Sequence, residues 1–239
     1  MNEVASELAF TDATLAIIPS GSGNGLSREL AIPFEPAAAF EVALGAGCDR
    51  VIDAGELDGR LFFNIAGIGL DARVAHRFAA SGLVRRGFLR YLEITAHEIF
   101  TYQPDEHTIV VDGVAERVRA LLIAVANGRQ YGNGAIIAPH ARFDDGRLDV
   151  VVVPQRSVLA TLVQIPRVFT GRVDRVPGVS MRSGEEIEIT SGRAVMYHID
   201  GEPFTGGVSV RARVRRAAVR VRVPGVYREF TTVPVQSDQ

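Results

Sequence analysis

The spacing of apolar residues changes near residue 50 of the chain. Before that point, helical spacing predicts helices over residues 2–10, 26–30 and 36–46, and one apolar run predicts a buried strand over 15–19. A single strand does not make a doubly wound sheet. Either this strand joins a neighbouring β domain, or the rest of its own domain is missing.

After residue 50, alternating and β-branched apolar runs predict a series of short strands. Asp-Gly dipeptides begin at positions 58, 112, 145 and 200, and Asp-Gly between such runs is the strongest short signal for a hairpin. The predicted strands cover residues 51–57, 60–66, 108–111, 114–118, 120–126, 148–153, 186–190, 194–199, 208–214 and 218–223. Helices are predicted over residues 72–80, 88–101 and 158–170, the last broken at Pro166.

These elements predict an α+β fold that is mainly an antiparallel β-sandwich with helical insertions. In this prediction residues 50–228 form the sandwich domain and residues 229–239 form a C-terminal tail. Residues 1–49 are the remnant of an α/β domain.

Composition narrows the function. The chain carries 26 basic and 28 acidic residues, a net charge of −2, so no nucleic-acid partner is expected. All the basic residues are arginine, which excludes a P-loop lysine, a protein-kinase strand lysine and a Schiff-base lysine, although a GC-rich genome produces the same bias. The single Cys48 excludes an intrachain disulfide. With no signal peptide and no membrane-spanning run, a cytoplasmic protein is expected.

Two glycine-rich segments each stand between a predicted strand and a predicted helix. Backbone N–H groups of the first segment suit an anion such as phosphate, and a tight turn is the alternative; its residues are Gly21, Ser22, Gly23 and Asn24. The second segment, residues 67–72, matches a loose GxGxxA dinucleotide fingerprint. Its alternative is close packing of strand on helix with Asp71 as the N-cap, and an N-cap carboxylate remains available for catalysis.

Paired carboxylates mark two turns. Asp200 and Glu202 follow a predicted strand and precede Pro203, an arrangement that suits a general base or a metal ligand, whereas a plain hairpin turn is the alternative. Asp144 and Asp145 lie in a second turn that suits a hard cation such as Mg²⁺ or is simply a solvated acidic turn.

Arginines alternate with apolar residues at 211, 213, 215, 220 and 222. This pattern favours a solvent-facing strand surface over a lipid-phosphate patch. Residues 81–90, which combine three arginines with apolar side chains, are the better candidate for a membrane surface.

Taken in order, these segments resemble the bacterial diacylglycerol kinase and sphingosine kinase superfamily of lipid kinases. The matching stretches are Asn2-Glu-Val-Ala and residues 18–24, 63–72, 126–134, 138–149 and 199–202. The resemblance implies a phosphofructokinase-like nucleotide domain followed by a β-sandwich, with ATP and a lipid hydroxyl meeting between them and Mg²⁺ as the metal.

The resemblance also implies roles for individual residues. The loop Gly21–Asn24 contacts nucleotide, and a carboxylate like Glu202 takes the proton of the lipid hydroxyl. An aspartate like Asp53 joins the acid–Mg²⁺ network, and Asp144-Asp145 resembles a secondary cation site. Asp200 and Asp71 are further catalytic candidates from their own residue patterns, apart from the resemblance. The resemblance further implies a lipid substrate at a membrane surface and peripheral membrane association.

Two departures from the family pattern stand out. Gly25 replaces the usual aspartate after Asn24, and the family's Gly-Gly-Asp-Gly-Thr nucleotide motif is absent before Asn2. An N-terminally truncated chain with weak or absent ATP binding is therefore expected, with an exposed sheet edge near residues 14–18 that invites a homodimer. A non-catalytic lipid- or partner-binding module and a nicotinamide-dependent oxidoreductase remain the alternative functions.

Overall fold

The computed structural model describes residues 1–21, 23–80 and 88–225, with side chains excluded over 88–92. The helices are α1 Asn2–Leu8, α2 Gly25–Glu29, α3 Pro36–Glu41, α4 Leu70–Ala80, α5 Phe88–Thr101 and α6 Val158–Phe169, with one π-helical turn at Val42–Ala46 and a 3₁₀ turn at Val173–Arg175. The strands are β1 Thr14–Leu15, β2 Gly47–Leu57, β3 Arg60–Phe62, β4 Ile65–Gly69, β5 Glu106–Val111, β6 Val114–Ala126, β7 Leu148–Pro154, β8 Ser180–Gly184, β9 Glu186–Ser191, β10 Met196–Ile199, β11 Glu202–Thr205 and β12 Ser209–Pro224.

The strands form one curled sheet in the order β11-β10-β4-β6-β5-β9-β12-β2-β3, with β7 and β8 added beside β6. Among the described strands every pairing is antiparallel except that of β1 with β12. The sheet curls because two long strands change partners along their length. The first half of β6 pairs with β5 and the second half with β4 and β7, while β12 passes from β9 to β2.

The curl encloses the main core, to which nine of the strands contribute buried residues such as Phe62, Ile109, Ile123 and Ile189. A second core joins the N-terminal segment to the sheet. Leu26 of α2 and Leu30, which directly follows that helix, pack there with Ile52 of β2 and Val221 of β12. Residues 1–49 are therefore fixed against β2 and β12, and the division at residue 49 remains a prediction.

Three of the four Asp-Gly dipeptides form the predicted hairpin turns. Asp58, Asp112 and Asp200 adopt positive φ values of 46–48°, and the glycine after each is also at positive φ. Two successive residues at positive φ make a type I′ turn, whose twist matches that of the flanking strands. Asp145-Gly146 lies in a loop between β6 and β7 instead.

Several element boundaries differ from the sequence predictions. The strand predicted over 60–66 is wrong as a single element, because the Asp200 carboxylate accepts hydrogen bonds from the N–H groups of residues 63–65 and thereby separates β3 from β4. Residues 114–118 and 120–126 are one strand, β6. Residues 208–214 and 218–223 also form one strand, β12, whose register shifts at a bulge between Arg215 and Val219.

Three further predictions are corrected. The strand predicted over 15–19 is limited to Thr14–Leu15. The helix α6 is not broken at Pro166 but continues through it to Phe169. The strands β8 and β11 were not predicted: β8 carries serine, arginine and glycine without an apolar alternation, and β11 is short and contains Pro203.

Candidate active site

The turn between β10 and β11 holds two of the predicted carboxylates in very different environments. The Asp200 carboxylate accepts hydrogen bonds from the backbone N–H groups of Phe63, Asn64 and Ile65 at 2.9–3.0 Å and from the Asn2 side-chain amide at 2.8 Å. These donors occupy both of its oxygens. Glu202, two residues later, is exposed at the start of β11. Asp200 therefore fixes the position of the turn, and Glu202 is the carboxylate that faces solvent.

A cluster of Asp71, Tyr131 and His198 supports the same turn through hydrogen bonds. The Asp71 carboxylate accepts a hydrogen bond from the Tyr131 hydroxyl at 2.7 Å and lies 3.0 Å from Nε2 of His198. Gly201 donates its N–H to Nδ1 of His198 at 3.3 Å. Since Nδ1 accepts, Nε2 carries the hydrogen and donates it to Asp71. The cluster thus ties the backbone between Asp200 and Glu202 to the first turn of α4.

Gly67 makes this cluster possible. It pairs with His198 across β4 and β10, and a Cβ at Gly67 would overlap both Oδ2 of Asp71 and Nε2 of His198. Gly69, at φ 108°, lies against the Leu121 carbonyl. The glycines of the GxGxxA segment therefore serve close packing inside the protein. The antiparallel neighbours of β4 also differ from the parallel βαβ unit of a dinucleotide site.

The first glycine-rich loop is closed on itself. The Asn24 side chain accepts a hydrogen bond from the Gly21 N–H at 3.1 Å and donates one to the Gly21 carbonyl at 2.7 Å. Asn24 itself is at φ 47° immediately before α2. In this conformation its amide shapes the loop, so an anion there would meet backbone N–H groups. Ser22, the remaining predicted residue of the loop, lies outside the described residues.

The same loop packs against a second glycine-rich loop, residues 128–134. Asn133 donates its N–H to the Gly23 carbonyl at 3.1 Å, and Gly23 lies against the backbone of Gly132. A Cβ at Gly25 would overlap the side chain of Asn64, the residue whose N–H binds Asp200. The loop, the Asp200 turn and the Asp71 cluster are therefore contiguous, although 175 residues separate Gly25 from Asp200.

Glu29, in the last turn of α2, is a buried carboxyl group that the sequence prediction did not include. Both of its oxygens accept the backbone N–H of Arg129, at 2.7 and 2.9 Å. Burial raises the pKa of Glu29 to about 7, against the opposing effect of that hydrogen bond and of the Arg129 charge. Glu29 thus links the helix after one glycine-rich loop to the beginning of the other.

Asp53 is buried away from solvent and holds three segments together. Its carboxylate accepts the N–H of Gly146 at 2.8 Å and the N–H of Ala217, at the β12 bulge, at 2.7 Å. The Asn127 side chain donates to the Asp53 carbonyl at 2.9 Å. Two backbone donors therefore occupy the Asp53 side chain, which orders the loop that carries Asp144 and Asp145.

Asp144 and Asp145 are partnered by groups of the protein, and their role as a secondary cation site remains a prediction. Asp144 is paired with Arg50 at 2.7 Å and lies 3.6 Å from Arg142. Asp145 accepts the backbone N–H of Arg147 at 3.0 Å, and burial together with the nearby Asp53 charge raises its pKa. Within the described residues no group of three or more His, Cys, Asp and Glu side chains is arranged to hold a metal ion. The guanidinium groups of Arg50 and Arg142 already neutralise the Asp144 carboxylate, which a Mg²⁺ ion would need as a ligand.

Sequence reasoning missed four side chains that build the site: Glu29, Asn64, Tyr131 and His198. Each comes from a different segment, and the tertiary contacts are what bring them together. Of the four, Glu29 alone had a local signal, because the helical pattern of α2 places this charged residue among buried ones.

Comparison with known families matches two stretches of the chain. Residues 1–57 match the family described as the diacylglycerol kinase catalytic domain. Residues 64–223 match the YegS C-terminal NAD kinase beta sandwich-like domain. The two matches meet between β2 and β4, next to the Asp200 turn.

Relatives of similar sequence carry the same name. The "Probable lipid kinase YegS-like" of Pseudomonas aeruginosa (strain PAO1) is 32% identical over 236 residues, which cover 94% of this chain and 73% of the relative. The protein of that name from Pseudomonas fluorescens (strain Pf0-1) is 30% identical over 235 residues, covering 94% and 72%.

Solved structures share the fold. A crystal structure of a diacylglycerol kinase from Bacillus anthracis str. Sterne superposes with a TM-score of 0.65 at 20% identity, covering 90% of this chain and 68% of that one. A second crystal structure from the same strain gives a TM-score of 0.72 at 24% identity, covering 88% and 68%. With both family matches and the identity to the Pseudomonas relatives, the chain belongs to the YegS-like lipid kinases of the diacylglycerol kinase superfamily.

Proposed function

We propose that this protein transfers the γ-phosphoryl group of ATP to the hydroxyl of diacylglycerol or of a sphingoid-type lipid. The observation that carries the proposal is that Asn64 contacts both the glycine-rich loop, at Gly25, and the Asp200 turn, which presents the exposed carboxylate Glu202, in a chain of lipid kinase ancestry. In this proposal residues 1–49 belong to a phosphofructokinase-like nucleotide domain and residues 50–228 form the lipid domain.

Phosphoryl transfer needs positioning and charge neutralisation more than covalent chemistry. The lipid oxygen attacks the γ-phosphorus, the bond to the bridging oxygen of ADP breaks, and the hydroxyl proton passes to Glu202. Backbone N–H groups of the glycine-rich loop hold phosphate oxygens. The carboxylates of Asp200, Asp71 and Asp53 already accept hydrogen bonds from groups of the protein. A Mg²⁺ ion would therefore accompany the nucleotide phosphates.

The roles of the remaining residues follow from their contacts. Asp200 holds the turn through its four donors, and the Asp71–His198 pair holds the N–H of Gly201, so both set the direction of Glu202. These residues position the base and do not themselves reach a substrate. A nicotinamide-dependent reaction is not favoured, because protein side chains fill the space beside Gly67.

The test is ATP-dependent phosphorylation of diacylglycerol by the chain and by its Glu202→Gln variant. A positioned general base contributes about a hundred- to ten-thousand-fold, so we expect turnover to fall at least about a hundredfold with little change in stability. Glu185→Gln, an exposed glutamate paired with Arg216, is the matched control and should leave turnover unchanged. An unchanged rate in Glu202→Gln would remove Glu202 from this role.

The same assay, with the Pseudomonas aeruginosa relative as the reference, measures whether turnover of this chain is weak, which remains a prediction. Association of the protein with a membrane and formation of a homodimer remain predictions. Among the described helices, none has the length and hydrophobicity needed to cross a bilayer.

A further inference from the structure

The helix α6, Val158–Phe169, presents apolar side chains to solvent. Leu159, Leu162, Val163, Ile165 and Phe169 are 38–73% exposed, and none of the helix residues is buried. Spacings of three and four residues between these positions place them on one side of the helix. Large apolar residues that are scattered singly are ordinary on a protein surface, whereas a contiguous apolar face is typical of an interaction site.

The polar side of the same helix faces the protein. Oε1 of Gln164 is buried and has no hydrogen-bond partner among the described residues, and Val168 packs on the core that lies beside β7. Thr161 and Gln164 are less exposed than Leu159 and Val163. A helix that only covered the core would have the opposite arrangement, with apolar residues inward.

Arginines border this apolar face without carboxylate partners. Residues 154–178 contain four arginines and one acidic residue, Asp174. Arg156, Arg172 and Arg175 are exposed, and none of them forms an ion pair within the described part of the chain. The face therefore combines apolar side chains with positive charge that no described carboxylate neutralises.

We propose that α6 and its flanking arginines form a docking surface for an anionic lipid bilayer; this inference rests on the proposed function. The helix has 12 residues and is about 18 Å long, so it lies in the plane of the interface and does not span it. Its apolar side chains enter the acyl boundary while the arginines extend to the lipid phosphates.

The position of α6 brings such a bilayer next to the candidate active site. Ile136 donates its N–H to the Val168 carbonyl at 2.9 Å, and Gly171, just after the helix, also contacts Ile136. Ile136 follows the loop whose Tyr131 and Gly132 contact Asp71 and the glycine-rich loop. Ile136 and the loop 128–134 thus connect the docked surface to the candidate active site.

The experiment measures sedimentation of the chain with phosphatidylcholine vesicles and with equimolar phosphatidylcholine–phosphatidylglycerol vesicles, without nucleotide. We expect binding to the anionic vesicles only. Leu159→Glu/Val163→Glu should weaken this binding at least about tenfold, because two charges replace inserted apolar side chains. Arg156→Gln/Arg172→Gln should weaken it by roughly 25-fold, since each arginine near an anionic surface contributes about fivefold.

Matched controls separate this surface from general effects. Val114→Glu changes an equally exposed valine at the start of β6. Val114 lies six residues before Ala120, which pairs with Pro154 at the end of β7 just before α6, so the two sites are about 20 Å apart. Arg117→Gln/Arg211→Gln removes two exposed arginines that are paired with Glu106 and Glu188. Both controls should bind anionic vesicles as the unaltered chain does.

Vesicle binding that Leu159→Glu/Val163→Glu leaves intact would overturn the proposal. A monomer–dimer equilibrium in analytical ultracentrifugation that this variant abolishes would also overturn it, because the face would then bind a second copy of the chain. Phosphorylation of a short-chain, water-dispersed diacylglycerol keeps the two proposals distinct. Turnover on that lipid without vesicle binding contradicts the docking surface, whereas vesicle binding without any turnover contradicts the kinase function alone.

Discussion

The Asp200 turn and the helix α6 differ in how their functional groups are partnered. At the turn, four donors saturate the Asp200 carboxylate, and His198 is held between Asp71 and Gly201. On α6, large apolar side chains face solvent beside arginines that form no ion pairs among the described residues. Partnered groups set positions within the molecule, and unpartnered groups are available to another molecule.

The arginines of β12 differ from those beside α6 in whether a carboxylate pairs with them. On β12, Arg213 and Arg215 both pair with Glu56, and Arg222 pairs with Asp49. The alternating arginines of β12 are thus a neutralised outer face, as the sequence pattern favoured. The segment 81–90, predicted as the membrane surface, lies largely outside the described residues. The arginines Arg156, Arg172 and Arg175 beside α6 are among those for which the described residues provide no carboxylate partner.

The largest effect on stability is expected at the turn. Asp200→Ala leaves three backbone N–H groups and one amide without their acceptor, and should lower the free energy of unfolding by about 3–5 kcal/mol. Asp58→Ala, in another type I′ turn, loses a single accepted hydrogen bond from Arg211 and suffers the same positive-φ strain. Denaturant unfolding of the two variants gives the difference, and equal losses would contradict the special role of Asp200.

A pH-dependent effect is expected at Glu29. Its pKa rises from an ordinary 4.5 to about 7 in the folded chain, so the folded protein keeps a proton that the unfolded chain has lost. The free energy of unfolding contributed by this group therefore falls as pH rises through that window, by about 3 kcal/mol in all. Glu29→Gln should remove this slope, measured as the difference in stability between variant and unaltered chain from pH 4 to pH 8.

The control for that experiment is Glu188→Gln. The hydrogen bond from Ser209 lowers the pKa of this exposed glutamate, so its titration lies below the window of Glu29. Its removal should leave the slope in that window unchanged. A Glu29→Gln variant whose stability follows the same pH dependence as the unaltered chain would show that the burial of Glu29 is not coupled to folding.

The smallest effect on stability is expected on α6. Leu159→Glu/Val163→Glu changes exposed side chains and should alter the free energy of unfolding by less than about 0.5 kcal/mol, although it should weaken vesicle binding at least about tenfold. Thermal unfolding checks this expectation. A large loss of stability would mean that the outer side of α6 packs on the protein, and the contrast with the Asp200 turn would then fail.

Much of the fold was predictable because its signals are local. The Asp-Gly turns at 58, 112 and 200 form as predicted, since Asp-Gly between two strand-forming runs favours positive φ at both of its residues. Helices α4 and α5 also occur where their periodicity placed them. The single strand predicted over 60–66 failed because Asp200, far along the chain, captures the N–H groups of residues 63–65.

The candidate site was predictable only in part. Short motifs indicated Asp200, Glu202, Asp71 and the glycine-rich loop as candidate site residues. The family resemblance indicated that the site is that of a lipid kinase. Their different roles depend on partners that no local pattern contains: Asn2 for Asp200, Tyr131 for Asp71 and Arg129 for Glu29. The outward direction of the apolar side of α6 was equally hidden, because periodicity identifies a face without showing which way it points.

The sequence by itself determined the family, the kind of chemistry and most of the strands and turns, because these depend on residue types and short spacings. The tertiary structure decided which carboxylates are occupied and which one is exposed, and it oriented α6 with its apolar side outward. The physical reason is that the role of a carboxylate depends on the hydrogen-bond donors around it. These donors come from segments that meet only when the sheet curls.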